Sequence, residues 1–190
     1  MRLVRGGEAV GLAAFEGAIL GLAIGDALGF PVERLRRAEI ERVHGAAGVT
    51  DFVASARYPA GTYSDDTQMT IAVAEALLEA GGDDLDALMR ATAERFVAWS
   101  RSAESARGPG KASLAGCARL ALGVDWREAG AADSKGCGSA MRVAPIGLLF
   151  FREQERLLEV ARASSLLTQD RKSTRLNSSH LAVSRMPSSA

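Results

Sequence analysis

Ser64-Asp65-Asp66-Thr67-Gln68-Met69-Thr70-Ile71-Ala72-Val73-Ala74-Glu75-Ala76-Leu77-Leu78-Glu79-Ala80-Gly81-Gly82 is the stretch on which the fold turns. Met69, Ala72, Val73, Ala76, Leu77 and Ala80 recur at steps of three and four, which puts them on one face of an α-helix. Ser64 or Asp65 can supply the side-chain oxygen for the first unpaired N–H groups, and Asp65 followed by Gln68 has the spacing of a capping box. Gly81-Gly82 stops the pattern. A helix with an apolar face this wide must bury it against others, and the flanking text supplies them. After Asp83-Asp84 a second pattern points Leu85, Leu88, Met89, Thr92, Phe96 and Trp99 inward. Leu114, Cys117, Leu120 and Ala121 predict another helix, stopped at Gly123. Pro145 to Arg162 carries one or two further helical turns, with Leu157, Leu158 and Ala161 as their apolar face. No segment sustains the alternating β-branched pattern of a strand, so the expected class is all-α. No repeat of about 34 or 40 residues marks a helical solenoid.

Upstream, Leu12 to Gly29 is the most apolar run, and Gly17, Gly21, Gly25 and Gly29 fall every four residues along it. On a helix these make one stripe where a neighbour can approach closely, at up to ~1 kcal/mol lost per glycine relative to alanine. The expectation is a buried helix whose stability comes from packing. Its uninterrupted apolar part reads as too short for a bilayer, and Glu8 and Glu16 spoil a cationic leader.

The composition bounds the rest. A chain of 190 residues, 47% apolar and 24% charged, is an ordinary globular domain. Such a chain can bury roughly 70% of its unfolded surface. Two cysteines, Cys117 and Cys137, are too few for a disulfide scaffold and lack zinc-site spacing, which points to a reducing, cytoplasmic setting. The formal charge is zero, with no excess that would draw a nucleic acid or an anionic membrane. From Asp170 the text turns abruptly polar. Residues 170–190 match the translation of a common short-read sequencing adapter, with Leu181-Ala182-Val183 across its variable index. Setting them aside leaves 19 basic and 22 acidic residues on 1–169, with the domain expected at 12–169.

Three polar stretches interrupt the apolar framework. In Gly25-Asp26-Ala27-Leu28-Gly29-Phe30-Pro31-Val32-Glu33 two carboxylates flank the exit of the first helix. Asp26 could pair with an arginine there, and Glu33 could be a solvated loop residue. In Ser64-Asp65-Asp66-Thr67 adjacent carboxylates repel each other, a repulsion the helix N-terminus tolerates and a cation would relieve. A hydroxyl and two carboxylates on one turn are the oxygen donors that Mg²⁺ prefers, although a plain N-cap explains the four residues equally well. In Gly136-Cys137-Gly138-Ser139-Ala140-Met141-Arg142 close glycines before a helix can expose N–H groups to a phosphate, with Arg142 as a charged fork.

Taken in this order, the three stretches resemble the N-terminal part of the ADP-ribosylglycohydrolase family, over roughly Phe15 to Thr168. The resemblance implies an all-α, orthogonally packed domain with two Mg²⁺ ions in a cleft, hydrolysing the glycosidic bond between ADP-ribose and an acceptor. By position it makes Ser64, Asp65 and Asp66 metal ligands, with Asp65 and Asp66 serving catalysis through the metal. Glu33 matches the catalytic or gating glutamate, and Asp26 a supporting acid. Gly136, Gly138, Ser139 and Arg142 fall in the loop that holds ribose and diphosphate. The implied partner is an ADP-ribosylated protein or a small ADP-ribosyl conjugate, without membrane or sequence-specific nucleic-acid binding.

Two departures qualify the resemblance. Arginine-directed relatives carry an Asp-x-Gly segment where this chain reads Ala106-Arg107-Gly108-Pro109-Gly110-Lys111, so no carboxylate awaits a substrate guanidinium there. A Thr-His element is expected after Leu166-Leu167, yet Gln169 follows Thr168, and the later Asp-x-Asp-Thr motif is missing. The expectation is therefore an incomplete copy of the enzyme, inactive and marginally stable as written, with its later ligands and part of its cleft wall absent. His44 reads as a surface loop residue. The alternative is a non-enzymatic member of the family, similar to the J1-type crystallins.

Overall fold

A computed structural model describes residues 11–132, 134 and 137–169 of the chain. Seven helices follow in order: α1 (Leu12–Gly29), α2 (Arg37–His44), α3 (Asp65–Ala80), α4 (Leu85–Ser100), α5 (Lys111–Ala121), α6 (Ala144–Phe150) and α7 (Gln154–Leu166). Short 3₁₀ turns sit at Phe30–Val32 and Ala103–Ala106. Among the described residues there is no strand, only an isolated parallel bridge between Ala131 and Gln169. The protein is all-α, as its periodicity predicts.

The core is built on α3 and α4. Met69, Val73, Ala76 and Leu77 of α3 meet Leu88, Met89, Phe96 and Trp99 of α4, and Cys117, Ile146, Phe150, Val160 and Leu167 complete the cluster. Ser64 caps α3 by accepting a hydrogen bond from the Asp66 N–H, and Asp84 caps α4 by accepting from the Ala87 N–H. The stop at Gly81-Gly82 has two causes. Gly81 takes φ of +71°, which a side chain resists, and the ring of Phe150 lies against Gly82 where a Cβ would stand. The two cysteines are free, Cys117 buried and Cys137 exposed.

Four expectations change. The first helix forms where the sequence places it, but it is not a buried helix. Only Ala27 is buried, whereas Leu12, Leu20 and Ile24 are exposed, and a Cβ at Gly17, Gly21, Gly25 or Gly29 would meet nothing within 4 Å. Its glycine stripe thus has no neighbour among the described residues. Nor is this helix too short to span a bilayer, since with the following turn it runs unbroken from Leu12 to Val32, long and apolar enough by length and composition. Its C-terminal part is nonetheless tied to the rest of the fold through α3 and α6. In α5, Cys117 is buried and Leu120 packs on the core as expected, but Leu114 is exposed and the helix buries Ser113 and Gly116 in its place. Gly116 belongs to this face because the backbone of Leu167 and Thr168 crosses directly over it. Finally, α7 extends to Leu166 and buries Val160, Ala163, Ser164 and Ser165, one step round from the face read at Leu157, Leu158 and Ala161. The helix α2 and its C-terminal His44 lie where the sequence shows no periodic apolar signal.

Candidate active site

The site forms where the C-terminal end of α1 meets the N-terminal end of α3. Asp26, on the last turns of α1, accepts four hydrogen bonds from the start of α3. The Ser64 N–H (2.9 Å), the Thr67 N–H (3.1 Å) and the Thr67 hydroxyl (2.6 Å) reach its Oδ2, and the Ser64 hydroxyl (2.7 Å) reaches its Oδ1. Among the described residues Asp26 thus takes no arginine as partner. Its carboxylate completes the hydrogen bonding that a helix N-terminus leaves open and sits in the favourable field there. Thr67, which the sequence reading passes over, contributes two of the four bonds.

This tie fixes the direction of the two following carboxylates. Asp65 is buried, its own N–H donating to the Arg107 carbonyl at 2.9 Å and its Oδ2 accepting from the Gly110 N–H at 3.4 Å. Burial, and then the charge of Asp66, push the Asp65 carboxyl up to about 7. Burial, together with the charges of Asp26 and Glu33, also raises Asp66. Among the described residues none of the ion pairs engages Asp26, Glu33, Asp65 or Asp66. Among the described residues, then, no ion pair offsets this concentration of carboxyl groups.

Asp26, Glu33, Ser64 and Asp66 open together into a cleft of about 500 Å³, walled by Gly21 and Gly25 of α1 and by Met141. Glu33, just after the turn that breaks α1, also lines a second groove of about 540 Å³ on the side of Tyr58, Ala106 and Gly108. Phe30 is shared by both. Of the predicted residues, the structure unites Glu33, Ser64 and Asp66 at one cleft, held by Asp26. Asp65 points into the adjoining Gly108–Gly110 turn.

The donors suit a divalent cation in kind, being hard oxygens with unbalanced negative charge. Among the described residues, however, no set of three or more carboxylate, imidazole or thiolate groups converges to enclose an ion.

Arg142 requires a correction. It does not project as a fork toward a ligand, because it is fully buried. Its guanidinium donates to the carbonyls of Gly138 (3.2 Å) and Ser164 (2.9 Å) and to the Thr168 hydroxyl (2.8 Å), and lies 4.7 Å from the centre of the Phe96 ring. Burial lowers its pKa to about 10. Its role is to fasten the glycine loop to α7. Ser139 is buried in that loop, a Cβ on Gly138 would press on the Gln169 amide, and Gly136 lies outside the described residues. No sequence signal separates an arginine that binds a phosphate from one that ties two segments together.

Comparison with known proteins identifies the family to which this fold belongs. The family model of ADP-ribosylglycohydrolase matches residues 10–183, a span that runs beyond Gln169. An uncharacterized protein of Archaeoglobus fulgidus is 41% identical over 72% of this chain and 43% of its own length. The ADP-ribosylarginine hydrolase Tri1 of Serratia proteamaculans is 29% identical over 85% of this chain and 43% of its own. A solved structure titled ADP-ribosylglycohydrolase-related protein complex superposes with a TM-score of 0.65 at 31% identity, over 84% of this chain and 50% of that one. The chain spans less than half the length of these curated relatives. With a family model over most of its residues and the matching arrangement of helices, the chain belongs to the ADP-ribosylglycohydrolase family.

Proposed function

We propose that this chain is the N-terminal part of a Mg²⁺-dependent hydrolase that cleaves the glycosidic bond between ADP-ribose and an acceptor. The observation that carries the reading is the four-bond attachment of Asp26 to Ser64 and Thr67, which holds Asp66 and Glu33 on one cleft. A purely structural helix start gains nothing from gathering like charges in this way. Ser64, Asp65 and Asp66 would hold one side of the metal centre, and residues beyond those described would supply the other. When bound, the metal would orient the ribose hydroxyls and lower the pKa of a water.

The chain's own residues divide the remaining work. Glycosidic cleavage builds positive charge on the sugar and requires the leaving group to gain a proton. Glu33, solvent-facing and shared by the two grooves, is placed to hold that proton on its carboxylate and pass it to the acceptor side. Asp26 positions the α3 turn through its bonds to Ser64 and Thr67. The glycine loop, fastened by Arg142, forms the Met141 wall against which the ribose would lie.

The test uses the complete protein encoded by the intact gene. ADP-ribose release from ADP-ribosylated arginine, serine and nucleic-acid ends is measured with Mg²⁺ and with EDTA. Release dependent on Mg²⁺, and lost in Asp66→Asn, is the expected result. Metal binding without release from any substrate would favour the structural, non-enzymatic reading.

A further inference from the structure

The groove on the far side of Glu33 is separate from the cleft of Ser64 and Asp66 and shares only Phe30 and Glu33 with it. Phe30 and Pro31 form one wall and Tyr58, Ala106, Gly108 and Pro109 the other. It is a built feature. The Phe30 and Tyr58 rings lie 5.3 Å apart, and the Tyr58 hydroxyl donates to the Ala106 carbonyl at 2.9 Å, closing one loop on the other. The Ser55 hydroxyl accepts from the N–H groups of Arg57 (3.3 Å) and Tyr58 (3.1 Å), which sets the turn carrying them. Gly108, at φ of +79°, brings its backbone against the Phe30 ring and near Asp65.

The charged side chains on this groove are Glu33, Arg34 and Arg57, and both arginines are exposed. Among the described residues neither guanidinium has an ion pair, whereas Arg37 pairs with Glu41 and Arg107 with Glu104 nearby. The ADP-ribose side of the proposed reaction occupies the cleft of Asp26 and Asp66, and Glu33 stands on the boundary. The leaving acceptor must depart on the other side of Glu33.

Resting on the hydrolase reading above, we propose that this groove receives the acceptor, and that Arg34 and Arg57 select an acceptor peptide bearing acidic residues next to the modified one. An arginine acceptor would bring its positive charge beside those of Arg34 and Arg57, although Glu33 on the groove and Asp65 behind Gly108 offset part of it. A nucleic-acid acceptor suits the surroundings less well. The surface beyond the groove carries both signs, through Arg37 with Glu41 and Arg107 with Glu104, rather than the continuous basic track that a phosphate backbone recruits.

The experiment uses the complete protein with three ADP-ribosylserine peptides of one length, flanked by aspartates, by serines or by lysines. An ADP-ribosylarginine peptide and an oligonucleotide ADP-ribosylated at its terminal phosphate accompany them. The expected kcat/KM for the aspartate-flanked peptide exceeds that for the serine-flanked one by about tenfold at low salt, a preference that shrinks as salt rises. In Arg34→Glu/Arg57→Glu the ratio of the two rates falls to unity or inverts. The ratio is the readout because loss of folded enzyme lowers both rates equally. Binding of the unmodified aspartate-flanked peptide, followed by fluorescence anisotropy, should weaken in the same variant. Equal rates for aspartate and serine flanks, or a preference that survives the double variant, would overturn the assignment while leaving the hydrolase reading intact. Faster cleavage of the arginine peptide or the oligonucleotide would overturn the acidic-peptide assignment. No release from any substrate would overturn both readings.

Discussion

Removing the Asp26 carboxylate should loosen the start of α3 more than any other single change at the cleft. Four donors converge on it, two backbone N–H groups and two hydroxyls. A hydrogen bond to a charged group contributes about 1.5–3 kcal/mol, and the bonds of one group are far from additive. Asp26 is half-buried, and its charge also raises Asp66, a repulsion that its removal relieves. Balancing these, Asp26→Ala is expected to cost about 3 kcal/mol. Asp26→Asn should cost about 1 kcal/mol, because an amide oxygen at the Oδ2 position still accepts from the Ser64 N–H and from both Thr67 groups. Urea denaturation of the complete protein without divalent ions measures both, with the slope m checked for constancy. Equal losses for the two variants, or a loss below about 0.5 kcal/mol for alanine, would show that the α1–α3 tie does not hold the site.

Other expectations follow from the same geometry. Arg142→Met should destabilise the protein by about 3–5 kcal/mol, with Arg142→Lys a poor rescue, because three acceptors and the Phe96 face are left without a buried guanidinium. A change in substrate KM at unaltered melting temperature would instead restore Arg142 as a ligand-binding group. Gly116→Ala, though in a helix interior where alanine is usually preferred, should lower the melting temperature, because the new methyl meets the backbone of Leu167 and Thr168. The acid at Asp65 gives a pH dependence of definite sign. Its carboxyl stands at about 7 folded against 3.8 in the free chain, so the folded form binds more protons and loses stability as pH rises from about 4 to 7. Three pKa units set an upper limit of about 4 kcal/mol. In EDTA the melting temperature should therefore fall between pH 5 and 7, and Asp65→Asn should flatten that slope; a metal-free protein that grows more stable over this range contradicts the assignment.

The framework was legible because period and caps agree in it. The apolar faces of α3 and α4 recur at steps of three and four, and each helix opens on a side chain that accepts its own first-turn N–H group. The residues that chemistry marks out, Ser64, Asp65, Asp66 and Glu33, stood out through their order along the chain together with the glycine stretches, since adjacent acids at a helix start are by themselves also a plain N-cap. What sequence could not supply was direction. The same Gly-x-x-x-Gly spacing fits a stripe pressed by a neighbour and one left open, and in α1 it is open. An arginine after a glycine loop fits a ligand or a tie, and its distance from Ser164 and Thr168 along the chain conceals the tie. The Arg34 and Arg57 groove escaped notice because its walls come from loops well apart in sequence, with no period or motif to join them.

The arrangement at the cleft also explains why the helix that looks least functional carries a decisive residue. Left to itself, the α3 start would set Asp65 and Asp66 side by side, with burial raising both, and would relax by turning them into solvent. Asp26 blocks that relaxation, because Ser64 and Thr67, on either side of the pair, are both bound to it. The price is a third negative charge a short way off, visible in its effect on Asp66. Gathering these carboxylates costs stability in the bare chain, which is the cost the proposed divalent ion would offset. The same logic accounts for α1. Its C-terminal turns are committed to this tie, while its apolar N-terminal turns, with Leu12, Leu20 and Ile24 exposed, contribute little to the described core. Thus the helix is retained for what Asp26 holds and not for what its leucines bury.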